Sequence, residues 1–481
     1  MLSPEPIWKY FEEICSIPRL SKNEGKIRRY LLDFADKNGL EAKEDEVGNI
    51  LIIRPADPSM ESRKTIVLQS HMDMVGEKNA DNPHNWAEDP ITPYIMDGWV
   101  RASGTTLGAD DGIGIASQLA ILSDKEIRTG KIECLFTVDE ESGMTGAINL
   151  KPDFFTAKTL INLDSEDEGV LYIGCAGGMD TLITMKFTAI SLPKDYDSFD
   201  ISITGLHGGH SGDEIHKGYG NSVKLMTRLL ASLTTQYNIS ISKFDGGNLR
   251  NAIPRESFAT ITANPIFGIE INRSIKDFYN TIRDEFGSLE PELKVSVRPG
   301  MKSVSAMDKE SQRKLLSALT ACPHGVVSWS KEMENLVETS SNLASVKFLD
   351  ESTIRIVTTQ RSSIESAKKD ISSVVEACFR LADAEVQMTD GYPGWKPNIT
   401  SEILKITRQS YFKLFGKEPL IRAIHAGLEC GLIYEKNKEI DMISFGPTIK
   451  GAHTPEEMIN TDTVVMFWDL LTDIIKNVPE R

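Results

Sequence analysis

Apolar residues are spaced along this chain in two different ways, and the difference divides it into parts. Up to residue 186, and again from 393 to 481, helical spacings alternate with short runs that are apolar almost throughout. Ile7, Tyr10, Phe11 and Ile14 mark a helix opening after Pro4 or Pro6; Ile27, Tyr30, Leu31, Phe34 and Ala35 mark a second, with Gly39 as its C-cap. VGNILII, KTIVLQS, KIECLFTV and TLIN read as strands, and KTIVLQS has the pattern of one buried on both faces in a parallel sheet. IGIASQLAIL and TDTVVMFWDLLTDIIKNV return to helical spacing, and EIDMISFG adds a strand. The fold class expected here is α/β, a doubly wound, mostly parallel sheet.

From 187 to 392 the texture changes. Longer amphipathic helices such as NSVKLMTRLLASL and AKKDISSVVEACFRLA alternate with edge-like strands such as FDISITGL and STIRIVTT. This predicts an inserted α+β domain with a largely antiparallel sheet, interrupting a first domain made of 1–186 and 393–481. YIGCAGGMD, at 172–180, lacks the GxGxxG order of a phosphate loop and reads as the chain leaving the first domain.

Composition narrows the partners. A formal net charge of −17 argues against nucleic acid and anionic membrane, both of which need a basic face. No apolar run approaches the roughly 20 residues of a membrane helix. The first residues lack the basic and apolar regions of a signal peptide. Six scattered cysteines without a CxxC suit a reducing cytoplasm and argue against a thiolate metal site.

Candidate chemistry collects where strands end. His71 and Asp73 follow KTIVLQS, two apart and so on one side of an extended segment. Asp110 and Asp111 sit among small residues in GTTLGADDGIG, at the mouth of a helix. Glu140 and Glu141 follow KIECLFTV, Asp164 follows TLIN, and His453 lies in the loop PTIKGAHTPEE. Each has a plain alternative: a helix cap for Asp110 and Asp111, a charged turn for DEESG, a loop histidine beside a solvated aspartate for HMD. Together, His71, Asp110, Glu141, Asp164 and His453 are two imidazoles and three carboxylates in loops where ligands of open parallel sheets gather. Such donors suit two divalent ions, Zn²⁺ above all, with Mn²⁺ or Co²⁺ also compatible.

The runs SHMDMV, GTTLGADDGIG, DEESG, INLDSEDEG, GCAGG, GGHSG, GNLRNAIPRE, YPGW, HAGLEC and SFGPTIKGAHTPEE resemble, in order, those of the bacterial aminoacyl-histidine dipeptidases. These belong to the di-zinc metallopeptidases that include carboxypeptidase G and peptidase T. The resemblance implies that Asp110 bridges two ions, with His71 and Asp164 on one and Glu141 and His453 on the other. It makes Asp73 the clamp on the His71 ring and Glu140 the general base, and implies a cis peptide between Asp110 and Asp111. His210, in GGHSG, falls at the oxyanion-stabilising position, brought in by a lid; Asn251 and Arg361 fall at substrate-binding positions. The family does not require a histidine at His207, and His425 and Glu429 are open between a helix-start role and substrate contact. The implied activity is hydrolysis of unblocked dipeptides, Xaa-His including β-alanyl-histidine. The alternatives are an N-acyl amino acid deacylase with the same metals and a catalytically inactive binding relative. In smaller relatives a second subunit's lid completes the site; this lid is long enough for one chain to supply everything, and a homodimer is kept as the expected assembly.

Overall fold

The computed structural model describes residues 2–481, which form two compact units. The first comprises 2–175, 395–423 and 428–481; the second comprises 176–394 and 424–427.

The first unit is built on an eight-stranded mixed sheet. Its four central strands pair in parallel, in the order Ile132–Thr137, Ile66–His71, Thr159–Asn162 and Asp441–Ser444. Antiparallel strands flank them, Glu41–Glu44 and Ile50–Arg54 on one side, Val170–Cys175 on the other. Ile66–His71 and Ile132–Thr137 are buried at every residue, which is why they carry no polar alternation. The helix Ala109–Ser123 packs on Ile66–His71 and on the first helix, Glu5–Cys15. Gly39 ends the second helix, Gly25–Asn38, in the left-handed conformation. Because the central strands run the same way, His71, Thr137, Asn162 and Ser444 finish at one edge of the sheet.

That edge is tied by a buried polar ladder. Thr137 Oγ1 and Gln69 Nε2 donate to Glu429 Oε2 at 2.6 and 2.7 Å. Asn162 Nδ2 donates to Gln69 Oε1 at 2.6 Å, Ser444 Oγ to Asn162 Oδ1 at 2.5 Å, and the Ser165 and Ser444 hydroxyls meet at 2.6 Å. A short hairpin, Ile449–Lys450 with Met458–Asn460, carries His453 in its turn and leads into the last helix, Thr461–Asn477, which Asn460 caps.

The second unit's large sheet is antiparallel throughout, with helices Ser222–Tyr237, Gly268–Phe286, Lys309–Ala321 and Glu365–Arg380 contributing to its core. The strand Gly177–Lys186, assigned to the first domain on sequence, pairs along Thr353–Ser362 in this sheet. Its pattern did not reveal this because a strand central to either sheet is equally apolar. All six cysteines are free thiols, five of them buried. Among the described residues no helix is long and apolar enough to cross a membrane.

A Cβ at Gly446 would lie 1.7 Å from the Ser165 carbonyl oxygen, on backbone that cannot swing aside. Gly446→Ala therefore displaces the loop after Thr159–Asn162 and is expected to cost at least about 1–3 kcal/mol in urea denaturation.

Candidate metal centre

Five side chains named from the sequence meet at the strand edge of the first unit. His71 Nε2 lies 3.0 Å from Asp110 Oδ1 and 3.5 Å from Asp164 Oδ1. His453 Nε2 lies 3.3 Å from the other oxygen of the same carboxylate, Asp110 Oδ2, and 3.0 Å from Glu141. Asp110 thus divides its two oxygens between two imidazoles. His71, Asp110 and Asp164 offer one set of donor atoms within 4.8 Å of one another, and Asp110, Glu141 and His453 offer a second. Glu140 joins His71 and Glu141 in a third overlapping set.

The local backbone serves this convergence. The peptide between Asp110 and Asp111 is cis. Asp139 and His453 both take positive φ values, 54° and 62°, which are uncommon away from glycine and turn the chain sharply beside Glu140 and at the hairpin tip. Asp73 Oδ1 lies 3.4 Å from His71 Nδ1, and its carboxylate accepts from the Ser21 hydroxyl and from the N–H groups of Glu140 and Glu141. Burial alone would raise the Asp73 carboxyl; the neighbouring His71 imidazole and the bonds from Ser21 and Glu140 hold it at about 2.

Two residues without a sequence assignment grip the loops from behind. The buried carboxylate of Glu457 accepts the successive N–H groups of Leu107, Gly108, Ala109 and Asp110 at 2.7–3.3 Å. The guanidinium of Arg19, also buried, donates to the carbonyls of Met72, Asp73 and Gly108, joining the His71 loop to the Asp110 loop. No local pattern around Arg19 announces this. The acidic pair in HTPEE was visible, but only the hairpin shows which member turns inward.

Electrostatically the cluster carries more negative charge than its imidazoles offset. Burial, then the Asp110 charge working against His71, lifts Asp164 to about 6. Burial also raises Glu140 well above the carboxylate range, with Asp164, Glu429 and Glu141 adding to it. Asp111 is raised by burial and by Asp164. Hydrogen bonds that its ring donates to the Asp110 and Glu141 carboxylates carry His453 up to about 11. Burial works against His71, but Asp164, Asp110 and Asp73 together lift it well above the imidazole range. Oxygen and nitrogen donors with surplus negative charge fit a pair of divalent cations. A neighbouring acidic trio, Glu24, Asp73 and Asp139, is satisfied otherwise. Glu24 accepts from the Lys22 and Asp139 N–H groups, and Asp139 from the Ser142 and Thr145 hydroxyls.

The remaining named residues lie in the second unit. His210 Nδ1 is 3.0 Å from Asp213 Oδ2, and Arg361, buried, donates to the Tyr392 hydroxyl at 2.7 Å. Hydrogen bonding to His210 holds Asp213 low, and Arg361 and His425 act on it in the same sense. His425, also buried, meets Ser340 Oγ at 2.8 Å. Asn251 is exposed; its carbonyl accepts the N–H of Ser211.

This chain belongs to peptidase family M20/M25/M40, whose model matches residues 67–477. Over 481 residues it is 42% identical to the cytosol non-specific dipeptidase of Escherichia coli (strain K12), an alignment covering 100% of this chain and 99% of that one. It superimposes on the crystal structure of aminoacylhistidine dipeptidase from Vibrio alginolyticus with a TM-score of 0.94 and 41% identity, covering 100% and 98% of the two chains. An aminopeptidase PepT from Bacillus cereus shares the fold at 18% identity and a TM-score of 0.59, with 99% of each chain covered.

Glu457 holds the Asp110 loop through four N–H groups, so Glu457→Ala is expected to weaken metal retention about 10- to 100-fold while the chain stays folded. Chelator competition with circular dichroism on the same sample checks both.

Proposed function

We propose that this chain is a metal-dependent dipeptidase that hydrolyses the amide bond of unblocked dipeptides, Xaa-His dipeptides such as β-alanyl-histidine among them. The observation that carries the reading is the divided contact of Asp110, with one oxygen on His71 and the other on His453. The full-length similarity to two dipeptidases, one named for cytosol and non-specific action and one for aminoacylhistidine substrates, supports the same substrate class. In this reading Asp110 would be shared between two cations, Zn²⁺ by preference and Mn²⁺ or Co²⁺ as substitutes; His71 and Asp164 would hold one, Glu141 and His453 the other. When bound, such a pair polarises the scissile carbonyl and acidifies a water.

The side chains do the rest. Glu140 accepts the proton of the attacking water and returns it to the leaving amine. The burial and negative neighbours that raise its proton affinity suit a group that must keep a proton between those two steps. Asp73 fixes the ring and tautomer of His71, so that Nε2 is the nitrogen offered. His210 donates to the oxyanion as it develops, and Asn251 and Arg361 bind the substrate, the planar guanidinium matching a terminal carboxylate. A cytoplasmic location belongs to the same reading, supported by the name of the Escherichia coli relative and by six unpaired thiols.

Three measurements test it. Purified protein assayed on β-alanyl-histidine, other Xaa-His dipeptides and N-acetyl amino acids is expected to cleave the free dipeptides; cleavage of the N-acetyl compounds alone would identify a deacylase. Glu140→Ala is expected to keep its metal and lose about 100- to 10,000-fold in kcat, whereas Asp110→Ala loses the metal itself, as elemental analysis reads. His210→Ala is expected to lower kcat about 100- to 1,000-fold; a change confined to KM would remove it from the oxyanion role.

A further inference from the structure

Arg361, Asn251 and His210, the three residues given substrate roles above, are gathered at one face of the second unit's sheet. In the paired strands Val337–Phe348 and Thr353–Ser362, Ser340 stands opposite Arg361 and Asn342 opposite Thr359, and on the next strand Gly178 and Asp180 continue the same two rows. Leu343, one position on, turns to the other face and into the helix-covered core. The turn 249–252, closed by the Ala252 N–H on the Leu249 carbonyl at 3.3 Å, lies against Asn342.

Every carbonyl at the tip of that turn is taken. Asn342 Nδ2 donates to the Arg250 and Ala252 carbonyls at 3.3 and 2.9 Å. The Asn251 carbonyl between them accepts the Ser211 N–H at 2.8 Å, and the Ile253 N–H donates to the Gly209 carbonyl at 2.9 Å, so the turn is bridged to the segment that carries His210. Asp180 Oδ2 accepts from Arg250 Nη1 at 2.9 Å, and the Thr359 hydroxyl lies 2.9 Å from the Arg250 carbonyl. Among the described residues the Asn251 side chain itself makes no hydrogen bond, and it is exposed. The backbone is clamped on both sides of one free amide.

Asn342 is 1% exposed in an inner strand, and among the described residues its Oδ1 is buried without a partner, a cost that leucine in the same place would not carry. The turn does not require it, since the carbonyls of an exposed loop can be left to water. We propose that Asn342 is a positioning residue of the dipeptidase: the hydrogens of its buried amide fix the backbone on either side of Asn251, so that the Asn251 amide meets the substrate in one orientation. This rests on the dipeptidase reading above, in which Asn251 binds the substrate, and adds what holds it in place. A binding group whose backbone is already fixed loses little freedom when the substrate arrives, and the difference appears in affinity.

The test is a double-mutant cycle of Asn342→Leu and Asn251→Ala on alanyl-histidine and β-alanyl-histidine, with metal content and urea denaturation measured on each protein. Asn342→Leu is expected to stay folded and metal-replete and to raise KM about 10-fold, with kcat changed less than about threefold. In the Asn251→Ala background the same substitution is expected to change KM less than about twofold, because its effect passes through a side chain already removed. Asn342→Ser, smaller and with one donor left, gives the same comparison should leucine disturb folding, and its KM is expected to lie between the two. An unchanged KM in folded Asn342→Leu overturns the proposal, and so does an equal rise in both backgrounds, the mark of a purely structural effect. Asn251→Ala with a wild-type KM removes Asn251 from substrate binding and the proposal with it. Failure of the wild type to cleave any free dipeptide overturns the dipeptidase reading and this inference together, and is told apart because it shows before any substitution is made.

Discussion

The first unit is governed by mutual repulsion among the carboxylates that must share one edge of its sheet. Asp110, Glu140, Glu141 and Asp164 come together there with Asp111 and Glu166 close by, and bringing such groups out of water raises the cost of each charge. Their placement is therefore imposed by the scaffold. Four consecutive N–H groups converge on Glu457, three carbonyls converge on Arg19, and Asp73 draws in the N–H groups of Glu140 and Glu141. Every one of these holds backbone, so the loops are positioned before their side chains meet.

The polar ladder from Glu429 to Ser165 adds stiffness to the same edge. A buried carboxyl with its value pushed up to about 8 by desolvation would be a liability on its own. Bonded to Thr137 and Gln69, it links the strand that ends before Glu140 to the strand that ends at His71, and through Asn162 and Ser444 to the remaining two. Four strands thus finish in register, with the spacing of the donor side chains fixed from below.

Much of this was legible in the chain. KTIVLQS predicted a buried parallel strand and TLIN a strand, and the clusters at their ends read as one donor set. What was not legible is what lies far away in sequence. Arg19 acts on carbonyls more than fifty positions on, and hydrogen bonds to main-chain carbonyls leave no motif. Glu457 looks like one of two solvated acids until the hairpin is folded. The Gly177–Lys186 strand illustrates the complementary limit, since periodicity reports burial but not the sheet in which a strand is buried.

The hairpin around His453 serves two ends at once. It delivers one imidazole and, through Glu457, the grip on the Asp110 loop. A distortion of this one turn is therefore felt twice, at the imidazole it carries and at a carboxylate 343 positions earlier in the chain.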